Sequence, residues 1–103
     1  MIHWRRTHPM APGRQAQAVE MVKEWASIFK EQTGVDVRIS VVITGTLGVA
    51  CMSADCESIG AWEAARAKAS DSSQMMAFGK KHAPEMQDTW VWNTEREEIW
   101  RYS

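Results

Sequence analysis

Between residues 35 and 44 the chain alternates with a period of two. Val35, Val37, Ile39, Val41 and Ile43 fall on one side; Asp36, Arg38, Ser40, Val42 and Thr44 fall on the other. Such alternation, rich in β-branched side chains, predicts a strand with one buried face. Gly45-Thr46-Leu47-Gly48 follows as a turn, and Val49 to Ala54 returns, so a hairpin is expected. A hairpin needs something to cover its apolar side, and the flanking segments supply it.

Both flanks carry helical periodicity. After the Pro9–Gly13 loop, Ala18, Val22, Trp25 and Phe29 recur at i, i+4, i+7 and i+11, widened by Met21 and Ile28. That predicts a helix from about Arg14 to Thr33, with Gly34 as its left-handed cap. Beyond the hairpin, Ser58 can cap a second helix whose inner face is Ile59, Trp62, Ala65, Arg66 and Ala69. Asp71 with Gln74 three residues on reads as a capping box, so the helix breaks near Ser70–Asp71 and restarts. The second piece carries Met75, Met76, Phe78 and Gly79 to about His82, and Pro84 is expected to end it.

Ile2 to Thr7 reads as a first strand, with Ile2, Trp4 and Arg6 on one face and His3, Arg5 and Thr7 on the other. Trp90 to Trp100 reads as a last strand or two pieces, interrupted by Glu97-Glu98. The order is βαββαβ. It predicts an α+β domain, a four-stranded antiparallel sheet with its helices on one face, spanning residues 1–103. The other face is then bare, and Trp4 or His3, Val42, Met52 and Trp92 are the residues expected on it. A second copy of the same sheet is the simplest cover, which makes a homodimer the expected state. Six tryptophans in 103 residues are too many for one small core. Trp4, Trp90 and Trp92 are expected either to cover the bare face or to wall a pocket.

Composition narrows the partners. Lys+Arg 12 against Asp+Glu 13 gives a net charge of −1, which argues against nucleic acid as main partner. The run Lys80-Lys81-His82 is too short to change that. No apolar stretch approaches a membrane span and the N-terminus lacks a leader's apolar core, so a cytoplasmic protein without a membrane is expected. Cys51 and Cys56 would point to opposite faces of one strand, too far apart for a disulfide, and read as reduced thiols. No metal site is expected: His3 and His8 cannot share a helix face and no carboxylate completes a triad.

Several pieces resemble a known family. Thr33-Gly34-Val35-Asp36-Val37, Thr44-Gly45, Glu57-Ser58-Ile59-Gly60-Ala61-Trp62-Glu63-Ala64-Ala65 and Glu98-Ile99-Trp100-Arg101 look like the small bacterial NIPSNAP-like proteins. These belong to the dimeric α/β-barrel superfamily. The resemblance implies ferredoxin-like subunits paired sheet to sheet and a cavity between sheet and helices. It also brings cofactor-independent monooxygenases and haem-degrading enzymes into view as superfamily members.

Three chemistries are weighed on the residues. A binding module for a small apolar or aromatic molecule would use Met52, Met76, Trp92 and neighbouring aromatics, with Ser40, His82 and Asn93 as polar contacts. A cofactor-independent monooxygenase of the antibiotic-biosynthesis type would use His3 as base and Arg5 or Arg38 to hold an oxyanion. Arg38 and Asp36 equally suit an ion pair. Haem binding would use His82, which the resemblance places near the ligand position of haem-degrading relatives, but Ile2–Thr7 lacks the asparagine those enzymes keep early in the first strand. The leading expectation is the binding module, with no cofactor.

Overall fold

The sheet is built around two central strands, β1 (Ile2–Pro9) and β3 (Val49–Cys56), flanked by β2 (Arg38–Val41) and β4 (Arg96–Arg101). The order is β2-β3-β1-β4, and every pairing is antiparallel. The computed structural model describes residues 1–42 and 48–102. Ile43, Thr44 and most of the expected hairpin turn lie outside them. Three helices complete the chain: α1 (Gln15–Thr33), α2 (Ile59–Ser70) and α3 (Ser73–Thr89). This is the ferredoxin-like α+β arrangement.

Strand parity decides what the helices cover. Ile2 and Trp4 of β1, and Ala50, Met52, Ala54 and Cys56 of β3, are buried in one core with Ala18, Met21, Val22 and Phe29 of α1, and His8 of β1 is buried on the same face. At its centre Trp62 of α2 stacks on Trp4 with ring centroids 4.4 Å apart, and Phe29 leans on Trp62 at 5.4 Å. Truncating a buried aromatic of this kind costs about 3–5 kcal/mol. Of the residues expected on the bare face, Trp4 and Met52 are therefore misplaced, since both lie under the helices. The open face carries the opposite parity: His3, Arg5 and Thr7, with Cys51, Ser53 and Asp55, and Arg38 and Ser40. It is mostly polar.

The helix ends follow local chemistry. Gly34 takes φ 78° and its N–H donates to the Lys30 carbonyl, the left-handed cap the sequence predicts. Ser58 Oγ accepts from the Ala61 N–H at 3.1 Å. The break falls where expected, but Ser72 rather than Asp71 caps α3, accepting from the Met75 N–H at 3.1 Å. Asp71 instead ends α2, its N–H bonded back to the Ala67 carbonyl.

Four expectations are corrected. Pro84 does not end the last helix; α3 runs through it to Thr89. One missing N–H is tolerated because the following turn has packing to gain: Met86 packs on the core, and Thr89 is 1% exposed with its hydroxyl bonded to the Glu85 carbonyl. β2 starts at Arg38 rather than Val35, because the Thr33 hydroxyl accepts the Val35 N–H and holds that stretch in the helix-exit turn. Trp90 to Glu95 is not strand. Trp90 bridges Met10 once, Asn93 turns the chain at φ 66°, and β4 begins at Arg96. Glu97 and Glu98, read as an interruption, are inside the strand, because β4 is an edge whose register sets them opposite Arg6 and Arg5.

Candidate functional site

The helix side of the sheet does not close completely. A cavity of about 240 Å³ remains between β1, β3 and the three helices. Its floor is Trp4, Arg6, His8 and Met52; α1 contributes Met21, Val22, Trp25 and Phe29. Met75, Phe78 and Met86 of α3 close one side, Arg66, Ala69 and Ser70 of α2 another, and Trp90 and Trp92 the end beyond β1. Aromatic rings give flat apolar walls, and methionines adapt to irregular shapes.

Two of the polar groups, Arg6 and His8, sit on β1, and the other two, Arg66 and Ser70, on α2. His8 is 5% exposed, stacks on Trp90 at 4.6 Å and meets the edge of Trp92 at 5.4 Å. Its Nε2 has no hydrogen-bond partner; Glu95 Oε2, also unpartnered, stands 3.8 Å away. Burial pushes the His8 pKa below the usual 6.5, the Arg6 charge pushes the same way, and Glu95 and the Val91 backbone oppose them. The lowered pKa favours the neutral imidazole. Arg6 lies between Trp4 and His8 on the same face. Its ladder partner Glu97 turns elsewhere, accepting the Trp4 indole N–H at 2.8 Å and pairing with Arg66. Among the described residues Arg6 makes no ion pair, and its Nε has no partner.

The expected site residues separate. Met52 and Trp92 line the cavity. His3, Arg5, Arg38 and Ser40 stand on the open face, away from it. There His3 and Arg38 do meet, through Asp55. The Asp55 carboxylate accepts from His3 Nδ1 at 2.9 Å, the Tyr102 hydroxyl at 2.8 Å and Arg38 at 3.0 Å. These bonds, His3 first, hold its pKa down at about 2. Arg38 therefore pairs with Asp55 rather than Asp36, which pairs with Lys30. Arg5 pairs with Glu98 at 3.4 Å and lies over Trp100. Met76 is 58% exposed on α3, and Asn93 sits in the exposed turn before β4. His82 sits inside α3, not at its end, and faces α1, where its Nε2 meets Glu24 Oε2 at 2.6 Å. None of these three lines the cavity.

Arg6, His8, Arg66 and Ser70 are the cavity residues sequence reading passed over as polar contacts. A signal existed for His8. It shares the parity of Ile2 and Trp4, and only ending the first strand at Thr7 left it in a loop.

The architecture defines a ferredoxin-like α+β protein with an apolar cavity under its helices. No protein-family model matches the chain, and no curated protein matches it significantly. Solved structures do. An uncharacterized NIPSNAP domain protein from Burkholderia xenovorans superposes with a TM-score of 0.79 at 15% identity, covering 100% of this chain and 95% of that one. A NIPSNAP family protein from Agrobacterium tumefaciens gives 0.79 at 16%, covering 99% and 92%. A protein from Deinococcus radiodurans named as a candidate antibiotic-biosynthesis monooxygenase gives 0.68 at 9%, covering 100% and 93%. The chain thus has the fold of NIPSNAP-domain and monooxygenase-like proteins, as its sequence texture suggested. No helix among the described residues is long and apolar enough to cross a membrane.

Proposed function

We propose that this chain binds a small aromatic or apolar molecule in the cavity between its helices and sheet. One observation carries the reading: the space left in the core is walled by tryptophan, phenylalanine and methionine, with only four polar side chains, two on the floor strand β1 and two on α2. Binding sites for small molecules have this composition. At about 240 Å³ the space lies under the roughly 300–1,000 Å³ of drug-sized pockets, so the occupant is small, of one or two rings. Four tryptophans line the cavity, so a naphthalene-sized ligand should quench the intrinsic fluorescence. Saturable quenching supports the reading. Its absence, together with an unchanged melting temperature in excess ligand, contradicts it.

The working unit of this proposal is a homodimer joined through the open sheet face. Trp100 and Tyr102, each 53% exposed, stand at the β4 edge of the sheet, and Trp100 lies opposite His3 on the open face. Light scattering that finds only monomer at micromolar concentration contradicts it. The free thiols Cys51 and Cys56 fit a reducing, cytoplasmic setting.

His8 favours a second reading, cofactor-independent monooxygenation. A neutral, buried imidazole beside a guanidinium can take the proton of a phenol while Arg6 holds the phenolate. The substrate supplies the electrons and dioxygen accepts them. Oxygen uptake with a dihydroxynaphthalene, lost in His8→Phe, supports this reading; no uptake above the protein-free rate leaves binding alone. The roles expected of His3, Arg5 and Arg38 would then belong to the open face, where a partner subunit's sheet would have to complete a site.

A further inference from the structure

We infer that the cavity is built for an aromatic or apolar molecule carrying one anionic oxygen group, seated between the Arg6 guanidinium and the His8 ring. This rests on the proposal that the cavity binds a ligand, and it adds the ligand's charge and orientation.

The polar side chains lining the cavity are Arg6, His8, Arg66 and Ser70; no carboxylate lines it. Two of the four are cations, and they differ. Arg66 is neutralised by Glu97, whose carboxylate also accepts the Trp4 indole N–H. Arg6 is half-buried and has no carboxylate within ion-pairing distance among the described residues, although Glu97 faces it across the ladder. Glu95 feels the Arg6 charge without pairing directly with it, so the guanidinium keeps room for a direct anionic partner.

His8 is the second, independent observation. Its side chain is more than nine-tenths buried, it lines the cavity, and its Nε2 has no partner. Residues two apart on a strand share a face roughly 6.6 Å from each other along it, a gap one carboxylate or phenolate can span. Glu95 also reaches this corner, and its Oε2 likewise lacks a partner. Its charge competes with Arg6. At the His8 ring the two act in opposite directions, Arg6 lowering its pKa and Glu95 raising it. The ligand's oxygen accepts from Arg6, and His8 Nε2 faces it either as acceptor of the ligand's own proton or, once protonated, as a second donor. The flat body then lies along Trp25, Phe29 and Met52.

The test compares four naphthalenes of nearly one shape by calorimetry and fluorescence quenching. These are 2-naphthoate, 2-naphthol, the neutral 2-naphthylmethanol and the cationic 2-naphthylmethylamine. The naphthoate or the naphthol should bind about tenfold or more tighter than the neutral alcohol, and which of them does so separates a carboxylate from a phenolate ligand. Arg6→Gln should erase that preference, bringing the anionic ligand's affinity to within about threefold of the alcohol's in the same variant. Arg6→Lys, which keeps the charge and tests for misfolding, should restore part of it. Equal binding of all four, the amine binding tightest, or a preference that survives Arg6→Gln overturns the charge assignment and leaves the cavity proposal standing. Binding of none overturns both.

Discussion

Trp4→Phe tests the arrangement that holds the cavity floor to β4. Trp4 is 2% exposed, and its indole N–H donates to Glu97 Oε1 at 2.8 Å. Phenylalanine keeps a ring for Trp62 to stack on but removes the donor and part of the ring. A hydrogen bond to a charged group contributes about 1.5–3 kcal/mol. The void left by the smaller ring adds about 1 kcal/mol. The substitution should therefore cost about 3 kcal/mol, a large part of the roughly 5–15 kcal/mol stability of a domain this size. At about 4–8 °C per kcal/mol, the melting temperature should fall by about 12–24 °C. Urea unfolding followed by circular dichroism reads this without depending on tryptophan fluorescence. Glu97→Gln keeps an acceptor and loses the charge, so the double mutant should be coupled, its cost below the sum of the singles by about 1 kcal/mol. A loss under about 1 kcal/mol for Trp4→Phe, or strict additivity, would refute the role given to this bond.

Other consequences follow from single residues. Pro84→Ala should stabilise the protein by about 1–2 kcal/mol, read as a raised urea midpoint, because it restores an N–H inside α3 at an exposed position. Asp55 sits near pKa 2 in the folded chain against 3.8 ordinarily, so its contribution is present above 3.8 and lost as pH falls toward 2. Discounted for its exposure, that amounts to about 1 kcal/mol, and Asp55→Asn should flatten the acid limb of the stability profile accordingly. His8 behaves oppositely to a paired histidine. Its folded pKa lies below 6.5, so the unfolded chain takes the proton first and stability declines as pH drops through 6.5. His8→Gln should weaken that decline in urea midpoints measured from pH 7.5 to 5.

How far the sequence could be read depended on whether a signal was local. The Gly34 cap, the Ser58 cap and the break near Asp71 are written in a few adjacent residues, and the structure keeps them. The βαββαβ order survived because period-two and period-3.6 patterns differ over whole segments. Pro84 misled because its local cost is outweighed by the burial of Thr89 and Met86, contacts with distant residues. Glu97 and Glu98 misled because a charged pair looks like a loop until Arg5 and Arg6 are seen opposite it. The cavity was anticipated only as a space between sheet and helices. Its polar floor depends on Glu97 turning toward Arg66 and away from Arg6, a choice made by tertiary packing. Parity alone could have set His8 beside Arg6, but not shown that Arg6 would be left unpaired.

The seven methionines provide the most direct test of the cavity as the binding site. Met21, Met52, Met75 and Met86 line it, while Met1, Met10 and Met76 do not. In protein labelled with carbon-13 at the methionine methyls, titration with 2-naphthoate should shift the four cavity resonances and leave the other three in place. Shifts confined to Met1, Met10 or Met76, or none at all at saturating ligand, would contradict binding in the cavity.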